Sequence, residues 1–281
     1  MGFVSAVARA VFPLSKKQRM FIAAQNGDIK TVQDLLYKYR SAVFWLTRNG
    51  GGQTPLMLAA GSGRLDVCRL LIARGADVHR RDDRGCTAFR HVIDGMMRCA
   101  GVQTPAPKFK VELAALEATA KYLLEQGADI DTKCSDGHAP LNRTIMGFGD
   151  IARFLVRNGA DIASTDALGA TILMCAASAK SAAVVEALLE AGASVLARNA
   201  EGKNAQDIAT ESDSFKYTRQ HEATLALLRQ AAERQLQNAS LAEKESILRQ
   251  AEESVVAQQP IVLMPQLKFR PWNSQMIGFK R

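Results

Sequence analysis

The sequence predicts an all-α solenoid of about six helix-turn-helix units with finger loops, followed by a C-terminal helix and an extended tail. Three observations lead there. Gly-Ala-Asp plus a hydrophobic residue recurs at Gly75–Val78, Gly127–Ile130 and Gly159–Ile162, and Ser replaces Asp in a fourth copy at Gly192–Val195. A second glycine keeps step with that phrase and opens a short run at Gly52, Gly85, Gly137, Gly169 and Gly202, with spacings of 33, 52, 32 and 33 residues. Finally, 47% of the 281 residues are hydrophobic but only 6% aromatic, a balance suited to closely packed helices rich in Ala and Leu.

Residues 1–16 are expected to form an N-terminal capping helix, with Phe3, Val7, Val11 and Phe12 on one side. The repeat domain spans 17–235, and its first unit, 17–51, lacks a Thr-Pro opening. The second unit, 52–84, is the best formed. Thr54 and Pro55 suit the N-cap and first turn of a helix through Leu56–Ala60, and Gly61-Ser62-Gly63 ends it. A second helix follows over Leu65–Arg74, with Val67, Leu70 and Leu71 on one face and Gly75 as terminator, before Asp77–Arg84 turn outward as a finger.

In the third unit, 85–136, the opening glycine stands 42 residues from the closing one, against 22 or 23 elsewhere. The insertion lies near 95–116, where Gly95, Gly101, Pro105 and Pro107 suggest a loop before a lengthened helix from about Val111 to Glu125. Units 137–168 and 169–201 return to the pattern, and 202–235 is a more polar capping unit. A helical extension over 236–259, with a break expected near Asn238-Ala239-Ser240, leads to an apolar and basic tail, 260–281.

Thr54-Pro55-Leu56-Met57-Leu58-Ala59-Ala60, together with the Gly-Ala-Asp turn in register, resembles the ankyrin repeat, whose Thr-Pro-Leu-His-x-Ala phrase here carries Met for His. The resemblance covers about residues 17–235. It implies a non-enzymatic protein–protein interaction module or adaptor that binds a partner protein through its finger loops and concave inner-helix face. Candidate finger contacts are Arg80, Arg81, Asp83 and Arg84, then Lys133, Ser135 and Asp136, then Thr165 and Leu168, then Arg198, Asn199 and Glu201. Inner-helix candidates are Met57, Arg90, Asn142 and Met174, while His91 and Arg143 stand where other units carry Leu58 and Cys175 and could line a shared pocket. The alternative is a regulatory or inhibitory subunit, including a bacterial effector acting on host proteins, with the 260–281 tail as docking peptide.

A net charge of +8 raises nucleic acid or an anionic membrane as partners, but the basic residues are dispersed among acids and no recognition motif accompanies them. Cys68, Cys86, Cys99, Cys134 and Cys175 are odd in number and scattered, which supports neither a disulfide framework nor a zinc site. They point instead to a reducing compartment, and with no apolar run long enough to span a membrane a cytoplasmic location is expected; the sequence leaves the oligomeric state open, with a monomer favoured. His79, His91, His138 and His221 lack metal-ligand spacing, and no phosphate loop or nucleophile motif occurs, so no cofactor, metal or catalytic residue is expected.

Overall fold

The computed structural model describes residues 14–45, 51–101, 107–211 and 219–240, together with 246 and 249. The chain divides into two compact units, Met1–Asn238 and Ala239–Arg281, and the repeats belong to the first. The expected capping helix falls outside the described residues up to residue 13, as does the 260–281 tail and most of the 236–259 extension.

Twelve α-helices run through the described residues as six pairs. They are α1 Lys16–Asn26 with α2 Ile29–Lys38, α3 Pro55–Gly61 with α4 Leu65–Ala73, and α5 Ala88–Ala100 with α6 Pro107–Glu125. The array continues with α7 Pro140–Arg143 and α8 Gly149–Arg157, α9 Ile172–Ser178 and α10 Ala182–Glu190, and α11 Ala205–Glu211 and α12 Arg219–Asn238. Strand pairing among the described residues is confined to a bridge between Thr165 and Thr171, so the fold is all-α.

The first helix of each pair is inner and the second outer. Helix α3 packs between α1 and α5, α4 between α2 and α6, α10 between α8 and α12, and α9 against α11. Equivalent residues form a ladder through the core. Leu56, Phe89, Leu141 and Leu173 carry it along the inner helices and Leu71, Leu123, Leu155 and Leu188 along the outer ones, all buried. Each such side chain contributes about 1.5–3 kcal/mol of burial, which no isolated pair of helices this short could secure.

The recurrent phrase is a helix terminator. Gly75, Gly127, Gly159 and Gly192 have φ between +87° and +92°, the left-handed region that side chains disfavour. In the first copy Gly75 N–H donates to Ile72 O (2.9 Å) and Ala76 N–H to Leu71 O (3.0 Å), a Schellman motif with Ala packed near the leucine, and the other copies repeat both bonds. The aspartate then secures the next turn: Asp77, Asp129 and Asp161 accept from the amides of His79, Asp131 and Ala163 at 2.8–2.9 Å. Where Ser194 replaces it, Gln235 of α12 reaches over instead, accepting from Val195 N–H (3.0 Å) and donating to Ala193 O (2.9 Å).

Segment 95–116 differs from the expected loop. Both helices of the third unit are extended, α5 to Ala100 and α6 back to Pro107. Gly95 reads as a breaker in sequence, yet a Cβ there would stand 2.6 Å from Gly61 O and 2.9 Å from Leu116 Cδ2. Its missing side chain lets α5 lie against the end of α3, and Arg98 closes that end by donating to Gly61 O (2.9 Å). The fourth unit departs the other way. Helix α7 is a single turn continued as a 3-10 turn, Thr144–Met146, and buried Thr144 donates its hydroxyl back to Leu141 O (2.7 Å), a bond that competes with helix propagation.

Candidate protein-interaction surface

The fingers join each outer helix to the next inner helix. We number them finger 1 (39–45 and 51–54), finger 2 (74–87), finger 3 (126–139), finger 4 (158–171) and finger 5 (191–204). A side-chain acceptor closes three of their turns. Asp82 Oδ1 accepts from Arg84 N–H (2.9 Å) and Cys86 N–H (2.8 Å), Asp166 Oδ1 from Leu168 and Ala170 (2.8 and 2.9 Å), and Asn199 Oδ1 from Glu201 and Lys203 (3.0 and 2.9 Å). Side chains between these fixed backbone points therefore project from defined positions.

Neighbouring fingers are tied together. Asp83 N–H donates to Gly51 O (3.2 Å), Ser135 N–H to Arg84 O (2.7 Å) and Ala200 N–H to Leu168 O (2.9 Å). Arg81 Nη1 adds a bond to Lys133 O (3.2 Å). Between fingers 3 and 4 the tie runs from Asp161 N–H to the Asp131 carboxylate (3.1 and 3.2 Å). Burial pushes the Asp131 carboxyl up, and the charges of Asp129 and Asp161 add to the effect, against the Asp161 N–H bond. Asp136 lies on the other side of the ordinary carboxylate range, held down chiefly by His138 N–H.

Of the expected finger contacts, Arg80, Arg81, Asp83, Arg84, Lys133, Ser135, Asp136, Thr165, Leu168 and Glu201 are exposed. Arg198 and Asn199 are half-buried and occupied: Arg198 donates to Gly202 O and pairs with Asp207 (3.7 Å), while Asn199 closes its turn. Of the inner-helix set, Asn142 is half-buried, and three others are withdrawn from the surface. Met57 and Met174 are buried because their sulfurs take the third-residue role of a capping box. Thr54 N–H and Thr171 N–H donate to them at 3.3 and 3.4 Å, and the threonine hydroxyls accept in return. Arg90, 2% exposed, is folded onto Asp94 (3.1 Å) and His138 O (3.4 Å).

The pocket expected from His91 and Arg143 does not form. Each turns back to its own finger: His91 Nε2 meets Asp82 Oδ2 at 3.0 Å in a buried pair, and exposed Arg143 lies 3.7 Å from Asp136. Burial holds the His91 imidazole below its ordinary value, with the Asp82 bond opposing, so at neutral pH a neutral ring donates to a carboxylate.

Two features escaped sequence reasoning. Phe44 is 64% exposed and lines a groove of about 210 Å³ with Val43, Thr54, Ala76, Asp77 and Arg80, so an aromatic and an arginine share one surface across fingers 1 and 2. The second is a disulfide between Cys86 and Cys134, both buried, with Cα atoms 4.8 Å apart. The expectation of unpaired cysteines fails because stacking sets adjacent fingers side by side, bringing together residues 48 positions apart. One signal was available: Cys134 stands three residues before its opening glycine, where Asp82, Asp166 and Asn199 stand in the other units.

The family model for ankyrin repeats matches residues 20–94, 111–199 and 150–238, which leaves out most of the inserted segment. The chain is a member of the ankyrin-repeat family. Ankyrin repeats are protein–protein interaction modules. The chain is 31% identical over 176 residues to a transient receptor potential cation channel subfamily A member 1 homolog of Caenorhabditis elegans, covering 57% of this chain and 14% of that protein. It is 43% identical over 67 residues to the 2-5A-dependent ribonuclease of Mus musculus, covering 24% of this ankyrin-repeat chain and 9% of the ribonuclease. The alignments thus span 14% and 9% of these two relatives, a small part of each. Among solved structures, a chain of the complex between a predatory endopeptidase of Bdellovibrio bacteriovorus and an immunity protein superposes with a TM-score of 0.55 at 22% identity, covering 76% of this chain and 97% of that one. That likeness concerns the fold. Among the described residues no helix is long and apolar enough to cross a membrane.

Proposed function

We propose that this ankyrin-repeat chain is a non-enzymatic adaptor that grips an acidic, partly apolar segment of a partner protein across fingers 1 to 3. The observation that carries the reading is the pairing of exposed side chains with fixed backbone, Arg84 also standing 3.7 Å from the buried Asp82 carboxylate. Arg80, Arg84, Lys133 and Phe44 are exposed, while the turn carrying Arg84 is closed by Asp82 and tied to its neighbours. Preorganised arginines and aromatics are the side chains that concentrate binding energy at protein interfaces. A cytoplasmic scaffold role belongs to the same reading. The redox state of Cys86 and Cys134 separates a reducing from an oxidising location.

Arg80→Glu with Arg84→Glu tests it, leaving Arg81 in place because it holds Lys133 O. Capture from the native organism with wild type and variant, followed by mass spectrometry, is expected to show one partner lost at least tenfold from the variant, with circular dichroism unchanged and melting lowered only by the loss of the Arg84–Asp82 pair. Equal recovery of every captured protein would remove the basic fingers from the interface.

A further inference from the structure

Finger 3 is built differently from its neighbours. In fingers 2, 4 and 5 an Asp or Asn closes the turn by accepting two amides, and the first residue of the turn also donates its own amide across it at 3.0 Å. Cys134 holds that place in finger 3 and has no oxygen to offer. Its amide reaches His138 O at a longer 3.4 Å, and side-chain support is reduced to Asp136 accepting from His138 N–H (3.0 Å). What finger 3 has instead is the bond to Cys86. That link encloses a sequence separation of 48 residues, the whole of α5, the insertion and α6, and joins the two fingers that carry Arg80, Arg84 and Lys133.

We propose that Cys86 and Cys134 are a redox modification site, a staple whose closure by a low-molecular-weight disulfide sets finger 3 against finger 2 and whose reduction loosens finger 3 alone. Closure is two thiol–disulfide exchanges. The Cys134 thiolate attacks one sulfur of the oxidant RS–SR, forming a mixed disulfide and expelling RS⁻. The Cys86 thiolate then attacks Cys134 Sγ and expels the second RS⁻. Two protein thiols lose two electrons, the oxidant becomes two RSH, and the thiol protons pass to the leaving thiolates through solvent. Burial pushes the Cys68 thiol up to about 12 and also raises Cys99 and Cys175. The local consequence follows from the turn chemistry, since fingers 2 and 4 keep their carboxylates when the bond opens.

The test uses the full chain equilibrated in glutathione buffers of varied ratio, alkylated, and digested. The expected result is a Cys86–Cys134 peptide pair in oxidising buffer and two alkylated cysteines after reduction. Alkylation of both in oxidising buffer would overturn the proposal. Reduction is expected to lower the melting temperature of wild type by roughly 5–10 °C and to speed amide exchange in residues 133–138 at least tenfold, with the turn at Asp166 unaffected. The double variant Cys86→Ala/Cys134→Asp copies the Ala170 and Asp166 arrangement of the next unit, so it should fold with a melting temperature that ignores reductant. A reductant response equal to that of wild type, or uniform acceleration of exchange along the array, would sink the idea. Effects on partner capture rest on the finger reading of the previous section. If Arg80→Glu/Arg84→Glu leaves capture intact while the thiol and exchange results hold, that reading fails and the staple stands.

Discussion

Asp82 serves two turns of chemistry with one carboxylate: Oδ1 closes the finger while Oδ2 accepts from His91. The pair makes stability depend on pH in a definite direction. An unfolded histidine titrates near 6.5, and in the fold burial lowers His91 further than the Asp82 bond and the charges of Asp82 and Asp94 raise it, with Arg84 adding to the lowering. Between the two values the unfolded chain holds a proton that the folded chain does not. This contribution is therefore fully present above the unfolded value and is lost as pH falls through 6.5 toward the folded one. Thermal melts of wild type are expected to fall between about pH 7.5 and 5 by more than those of His91→Gln, which keeps a donor but cannot titrate. His91→Leu, matching Leu58, should flatten the profile too but cost about 1–3 kcal/mol at pH 7.5, because buried Asp82 Oδ2 loses its hydrogen bond and is left with the longer 3.7 Å ion pair to Arg84.

At the scale of elements, the inserted unit turns on how closely three helices approach. Gly95→Ala would set a methyl group 2.6 Å from Gly61 O and 2.9 Å from Leu116 Cδ2, and backbone cannot yield as a side-chain tip can. A net loss of about 1–2 kcal/mol in denaturant melts is expected, overpacking of about 1–3 kcal/mol outweighing a gain of up to about 1 kcal/mol in helix propensity from replacing glycine. The same contrast explains what the sequence disclosed. Helix ends were legible, since Gly75 and its equivalents meet a backbone requirement that lies within a few residues, and finger exposure followed from register. The extension of α5 through Gly95 was not, because the residue that reads as a breaker is there to admit a partner from the preceding unit. Met57 and Met174 looked like contact residues for a similar reason. Their sulfurs stand in for the Glu or Gln of a capping box, a substitution that only geometry discloses. The disulfide needed knowledge of which fingers lie side by side.

Over the whole repeat array, stability is a sum of unit terms and nearest-neighbour terms, so the array yields first at its thinnest junction. That junction lies between the third and fourth units. Helix α7 supplies one turn, and α6 and α8 are separated by a groove of about 430 Å³ lined by Glu117, Lys121, Asp150, Arg153, Phe154, Arg157 and Asn158. Arg153 faces the other way energetically, pairing with Glu186 and Glu190 at 2.5 and 3.2 Å and so fastening the fourth unit to the fifth. Across the thin junction the finger tie depends on Asp131, a carboxylate whose charge is disfavoured by burial and by two acidic neighbours. Native-state hydrogen exchange is expected to separate the array there, with core amides of α8 to α10 opening at lower free energy than those of α3 to α6. Removing the tie with Asp131→Ala should widen that gap by about 1 kcal/mol, or roughly fivefold in relative exchange rate. Asp131→Asn, which keeps an acceptor and removes the charge, should narrow it instead. A single opening free energy shared by both halves in all three proteins would show that the ladder from Leu56 to Leu188 transmits cooperativity across the gap, and that the short inner helix is no weak point.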